Sequence, residues 1–392
     1  MPQPMLFSPL EIRGLRLRNR VVVAPMHQYS AVEGFANDWH LVNAGKFAQG
    51  GAGLVIMEST KVARNGAGTV GDVGLWDDQF IPPLARCAAF IKAHGARAGI
   101  QLGHSGRKAR LSRPWEGGKP LTGDEPGVFD WAGWELVAPS AVPHSERSPT
   151  PRALSHNEVR DLAVKWGEAA ARADRAGFDV VEIHAAHGYL IHQFLSPLAN
   201  VRTDEYGGSE LNRARFAIEV AECVRAAWPA DKPLFMRLSC EDDAGFGPEE
   251  SVRLSRLLKG KGVDVIDCSS GGTLARSPMD GERSKKYGYQ VPYAEKIRRE
   301  ADIKTMAVGH IVHANQAEAI LQGGRADLVA LAREMLYNPN WPMDAAQKLG
   351  IDPDFKLVPP PYSYWLDKRA KSAFEGQPST WTNGLGSVDT AR

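Results

Sequence analysis

Eight short apolar runs, spaced along most of the chain, constrain the fold more than any other feature. They are Val21–Met26 (VVVAPM), Gly53–Glu58 (GLVIME), Ala98–Leu102 (AGIQL), Asp179–His184 (DVVEIH), Leu234–Ser239 (LFMRLS), Val263–Cys268 (VDVIDC), Lys304–Val308 (KTMAV) and Asp327–Ala332 (DLVALA). Each is five or six residues long and mostly apolar throughout, the pattern of a strand buried on both faces of a parallel sheet. Helical patterns lie between them. Asn157–Ala176 has Asn157 or Ser155 as N-cap, and Leu211–Ala227 is stopped by Pro229. Pro248–Lys259 opens on proline with Gly260 placed to end it, and Ala314–Gln322 stops at Gly323-Gly324. Eightfold strand–helix alternation predicts an α/β fold, a closed (β/α)8 TIM barrel. The competing fold is an open doubly wound sheet. It needs a Gly-x-Gly-x-x-Gly turn after the first strand, where this chain runs into Pro25-Met26-His27.

One interval is too long. About 75 residues separate the third and fourth runs, where a helix and its loops need only about 30. The excess, 104–156, is rich in Pro, Gly and Trp and is expected to be a lid over the barrel mouth. Residues 1–370 form one domain on this reading, and 371–392 form a polar, Gly-rich tail or arm, disordered or packed on a partner subunit. Lys and Arg number 47 against 46 Asp and Glu, so nothing electrostatic predicts nucleic acid or an anionic membrane as partner. The four cysteines are scattered and form no C-x-x-C pair. With no apolar stretch of signal-peptide or membrane-spanning length, the expectation is a cytoplasmic protein.

Chemistry in a barrel collects at the C-terminal ends of the strands. Those ends carry Met26-His27-Gln28-Tyr29, Glu58-Ser59-Thr60, Gln101-Leu102-Gly103-His104, His184 to Tyr189, Arg237, Gly309-His310 and Ala332-Arg333. Loops after the seventh and eighth strands of barrels often hold phosphate. Gly309 and Ala332-Arg333 stand there; the plain alternative is a turn glycine and a surface arginine. His184 and His187 could bind metal, but no third ligand has matching spacing. They could equally be structural, or offer two N–H donors to a carbonyl or nitro oxygen beside a proton-delivering Tyr189. Arg237 inside an apolar run needs an electron-rich partner, either a carboxylate or the N1–C2=O edge of a reduced flavin.

The stretch HAAHGYLIHQFLSPLANVRTDEYGG (184–208), with LRNRVVVAPM, GIQLGHSGRKA, VDVIDCSSGG and GGRADLVALAREMLYNP elsewhere, resembles the Old Yellow Enzyme family of FMN-dependent ene-reductases. The resemblance covers residues 5–370 and is nearest the bacterial xenobiotic-reductase-like subclass. It implies FMN as cofactor and NAD(P)H as hydride donor. The activity implied is reduction of activated C=C bonds in enones, nitroalkenes and related xenobiotics. Ala24, Pro25, Met26 and His27 would line the flavin, with Ser59 and Gln101 at its pyrimidine side. Arg237 would face N1–C2=O, and Gly309, Ala332 and Arg333 the phosphate. His184 and His187 would bind the substrate's oxygen, Tyr189 would protonate Cα, and Tyr29 with His27 would shape the substrate site. A small-molecule substrate and a homo-oligomer, dimer or tetramer, follow from the same resemblance.

Two positions depart from the pattern. His27 stands where the subclass has a cysteine near the flavin, and Ala332 replaces a glycine beside the phosphate arginine. Two further functions remain open: a same-fold flavoenzyme with demethylation or desaturation chemistry, and a barrel that binds FMN or a phosphate ligand without turnover.

Overall fold

All eight apolar runs become parallel strands: Val21–Val23, Leu54–Lys61, Arg97–Gly103, Val180–Ala185, Leu234–Ser239, Val265–Ser269, Lys304–Ala307 and Leu328–Leu331. Each pairs with the next, and the eighth pairs with the first through Val329 and Val21, so the sheet closes into a barrel. The computed structural model describes residues 4–242, 245–273 and 286–372. Every residue of the first, second, fourth, fifth, sixth and eighth strands is buried, as double-sided packing requires. The first strand is shorter than its apolar run because Pro25 has no N–H to extend the ladder.

The core has two parts. Outward-facing residues such as Val21, Val55, Ile100 and Val329 pack on the surrounding helices. Inward-facing Val22, Leu54, Val180, Phe235, Val265 and Leu328 fill the barrel. A hairpin of Leu10–Ile12 and Leu15–Leu17 contributes Ile12, Leu15 and Leu17 to that inner cluster and so plugs the N-terminal end. The other end is left open for chemistry.

Helix boundaries follow local capping. His156–Arg175 starts at Ser155, not Asn157: Ser155 Oγ accepts from Glu158 N–H, and Glu158 accepts from Ser155 N–H at 2.7 Å. Pro248–Gly260 keeps Gly260 inside its last turn, and Gly262, at φ +86°, takes the left-handed position beyond it.

The 104–156 segment carries little regular structure. It has two single-turn 3-10 helices (Gly106–Lys108 and Pro114–Glu116) and a two-residue parallel pairing of Val137–Ala138 with Arg152–Ala153. Trp134 anchors it. The indole is fully buried against Ala67 and Val70, and its N–H donates to Ala67 O at 2.8 Å. After the eighth strand the chain forms Trp341–Lys348 and then Pro360–Lys371, a helix with no buried residue. The tail from 373 onward lies outside the described residues.

Candidate active site

Strand register assembles the site. His184 pairs with Arg237, Arg237 pairs with Asp267, and Gln101 pairs with Glu182 on neighbouring strands. In the second strand a register shift between Met57 and Ser59 re-aims the residues that follow.

His184, His187 and Tyr189 meet at the end of the fourth strand. The two imidazoles are perpendicular with centroids 5.1 Å apart, and the Tyr189 ring sits 4.8 Å from His184. Ala186 N–H donates to His184 Nδ1 at 3.2 Å, which places that ring's proton on Nε2. His184 Nε2 lies 3.4 Å from His187 Nδ1, and His187 Nε2 lies 2.8 Å from Ser269 Oγ. Burial, then neighbouring cations, holds both imidazoles well below the usual histidine range. Burial pushes the Tyr189 phenol far up, so its proton stays in place.

This loop has no room to spare. His187 is left-handed at φ +59° and Gly188 at φ +71°. A Cβ on Gly188 would fall 2.0 Å from Gly272 O. The loop after the fourth strand and the loop after the sixth strand are thus packed backbone on backbone.

From the first strand, His27 stacks on Tyr29 at 5.1 Å and meets Tyr189 edge-on at 6.1 Å. Both its ring nitrogens are buried without a hydrogen-bond partner. Burial, reinforced by Lys61, lowers its pKa, so the ring is neutral. Tyr29 is pushed up to about 12 by burial. Ala24 donates its N–H to Leu331 O at 2.9 Å, and Pro25 and Met26 follow half-buried.

Sequence reasoning missed three charged groups here. Lys61 is fully buried, 3.4 Å from Asp72 and 3.1 Å from Ser59 Oγ, and its ammonium lies 5.3 Å from the Tyr189 ring centre. Glu182 is fully buried and accepts from Gln101 Nε2 at 2.7 Å; burial first, then Asp267, pushes its carboxyl up to about 8. Asp267 lies 3.2 Å from Arg237 Nε, its carboxyl raised by burial against the pull of that guanidinium. So the partner that Arg237 needed includes a carboxylate. The signal for Glu182 and Asp267 was a lone acid inside an apolar run; Lys61 had no comparable signal.

On the far side lies a cavity of about 800 Å³ lined by His187, Arg237, Ser270, Gly309, Ala332 and Arg333 among others. Ala24, Ser59 and Gln101 do not line it. Gly309 is left-handed at φ +106°, and a Cβ there would press to 2.6 Å on Gln290 Nε2. Ala332 has φ −110°, so alanine in place of glycine incurs no left-handed penalty. Arg333 Nη2 lies 3.2 Å from His310 Nε2.

Both ring nitrogens of His27 are buried without a hydrogen-bond partner, and Arg237 Nε and the Asp267 carboxyl meet each other as an ion pair but make no hydrogen bond. With the cavity beside Gly309 and Arg333, the residues fit a cofactor that has a polar ring system and a phosphate. A closed parallel barrel with such a cavity at the C-terminal ends of its strands has the architecture of a cofactor-binding enzyme. The profile of the NADH:flavin oxidoreductase / NADH oxidase family matches residues 5–351. An NADPH dehydrogenase of Geobacillus sp. (strain WCH70) is 44% identical over 353 residues, 89% of this chain and 95% of that protein. Morphinone reductase, solved with tetrahydroNAD, superposes with a TM-score of 0.70 at 28% identity, covering 89% of this chain and 92% of that one. A 2-naphthoyl-CoA reductase superposes at TM-score 0.78 and 26% identity over 90% of this chain, which spans about half (53%) of its length.

The chain therefore belongs to the NADH:flavin oxidoreductase / NADH oxidase family, the Old Yellow Enzyme relatives that its motifs resemble. It is an NAD(P)H-dependent flavin oxidoreductase with FMN as its cofactor. Among the described residues no helix is long and apolar enough to cross a membrane.

Proposed function

We propose that this protein uses NADPH to reduce activated C=C bonds in enones, nitroalkenes and related xenobiotics. The carrying observation is the meeting of two neutral imidazoles, His184 and His187, with the protonated phenol of Tyr189. The similar NADPH dehydrogenases support NADPH as the reductant. Bound FMN supplies the two-electron carrier between nicotinamide and alkene. Ala24 to His27 would line its ring, Ser59 and Gln101 would meet the pyrimidine side, and Arg237 would face N1–C2=O. Gly309, Ala332 and Arg333 would hold the phosphate.

His184 offers its Nε2 proton towards the point where His187 Nδ1 now stands 3.4 Å away. A substrate oxygen entering there accepts that proton's hydrogen bond and separates the two rings. Neutral donors suit this role because they stabilise charge that develops on the oxygen without binding anions indiscriminately. Tyr189 gives its phenolic proton to Cα, and Tyr29 with His27 forms the opposite wall. The 104–156 segment acts as the lid. The protein works as a cytoplasmic homo-oligomer, a reading supported by the exposed Tyr362, Tyr364 and Trp365 on its last helix.

The test is a visible spectrum of the purified protein, then anaerobic NADPH, then 2-cyclohexenone. Flavin absorbance that bleaches with NADPH and returns with the enone supports the cycle. A yellow protein that reoxidises only with oxygen removes the ene-reductase reading.

A further inference from the structure

Lys108 stands beside Tyr189, with Arg107 next to it, and neither has a counter-charge among the described residues. Lys108 Nζ donates to His187 O and Gly272 O, both at 2.9 Å, and lies 5.6 Å from the Tyr189 ring centre. Arg107 donates to Thr273 O at 3.1 Å and to Val142 O and Pro143 O at 3.4 Å. All these acceptors are neutral carbonyls. Neither Arg107 nor half-buried Lys108 has a carboxylate partner among the described residues, whereas the fully buried Lys61 has Asp72. Two carbonyls leave one ammonium hydrogen of Lys108 unspent. Arg107, only 6% exposed, has a buried Nε without a partner, and so has the Nδ1 of half-buried His144. Burying the Arg107 cation, with a second cation half-buried beside it and no anion between them, is costly, and a bound anion would offset that cost.

We propose that Arg107, Lys108 and His144 form a subsite for an anionic oxygen group, carboxylate or phosphate, on the ligand whose reacting end sits at Tyr189. This rests on the reading that places the ligand at His184, His187 and Tyr189. The anionic group comes either from the alkene's own carboxylate or from the phosphates of the nicotinamide coenzyme. The groups facing Lys108 are Arg107 beside it, His187 and Tyr189 from the fourth-strand loop, and His144 from the insertion. Burial and then the Arg107 charge bring the Lys108 ammonium down to about 8. Burial holds His144 down at about 4, so it serves as a neutral donor. Anion affinity is thus present at pH 7 and fades as the pH rises through about 8.

Calorimetry on the FMN-loaded enzyme with benzoate and its neutral isostere benzamide decides the matter. At pH 7 benzoate should bind about tenfold tighter. That preference should shrink at pH 9, vanish in Lys108→Met and weaken in His144→Ala, a variant in the half-exposed insertion that leaves the loop contacts of Lys108 intact. Equal affinities in the wild type, or a preference that survives both substitutions, overturn the subsite. The two half-reactions, reductive with the nicotinamide and oxidative with the enone, then separate the sources. A Lys108→Met defect with NADPH, but not with 1-benzyl-1,4-dihydronicotinamide, assigns the anion to the coenzyme. A defect with a carboxylate-bearing enone, but not with 2-cyclohexenone, assigns it to the substrate. Failure of the wild type to turn over any enone removes the ene-reductase reading, and the benzoate comparison still tests the subsite.

Discussion

The Tyr189 phenol keeps its proton because it is buried, and it sits 4.8 Å from the His184 ring that would hold the substrate's oxygen. Removing only the hydroxyl separates its role from packing. Tyr189→Phe should slow alkene reduction by about 10²- to 10⁴-fold, the usual worth of a positioned acid, and leave flavin reduction by NADPH nearly unchanged. Stopped-flow measurement of the two half-reactions checks this; equal slowing of both would remove the proton-donor role. At this scale the sequence was readable where residue types cluster along the chain, as in His184-x-x-His187-x-Tyr189. It was silent where the partner comes from another strand. That Asp267 meets Arg237, and Glu182 meets Gln101, depends on barrel register rather than local spacing. His27 was visible as a departure, but its charge state was not. Burial and the Lys61 ammonium, a neighbour brought from the second strand, make it neutral.

The eight strands and the four helices outlined by the pattern were legible to within three residues, because the runs are buried on both faces and a serine, proline or glycine marks an end of each of those helices; Asp38–Gln49, Ile81–Ala93 and Val291–Ala301 were not outlined. The insertion was legible only as excess length. Its structure rests on one tryptophan and a few turns, and no periodicity encodes those. The contact between the loop after the fourth strand and the loop after the sixth was equally hidden, since it is made by backbone. Gly188 sits at φ +71° with no space for a Cβ beside Gly272 O. Gly188→Ala should therefore destabilise the protein by roughly 2–4 kcal/mol, combining left-handed strain with a backbone clash. It should also displace Tyr189, the next residue. Thermal unfolding should show a clear drop in Tm with a loss of alkene reduction larger than the loss of flavin content. An unchanged Tm would mean that the two loops are not in contact.

The whole molecule stores its acid–base asymmetry in the barrel mouth. His27, His104, His184 and His187 are all held below the ordinary histidine value by burial, His104 down to about 3. As the pH falls below about 6.5, the unfolded chain takes up protons on these rings while the folded chain does not, so stability falls. Glu182 and Asp267 have the opposite sign. Their folded carboxyls are raised, Glu182 to about 8, so their contribution is complete below the ordinary carboxylate range and is lost as the pH rises. Between pH 5 and 6.5 four histidines outweigh two acids. Each net proton is worth about 1.4 kcal/mol per pH unit. Above pH 6.5 the unfolded histidines shed their remaining protons and the two acids come to dominate the slope, which runs downward towards about pH 8, where the lowered Lys108 ammonium begins to oppose it. The urea midpoint of the FMN-loaded protein should therefore peak near pH 6.5 and be lower at both pH 5 and pH 8. Glu182→Gln keeps an acceptor for Gln101 and removes the titrating group, so it should flatten the alkaline side and steepen the acid side. A midpoint that keeps rising from pH 6.5 to pH 5 would mean that these imidazoles are protonated in the folded protein. In that case they could not serve as the neutral donors that the proposed oxygen site requires.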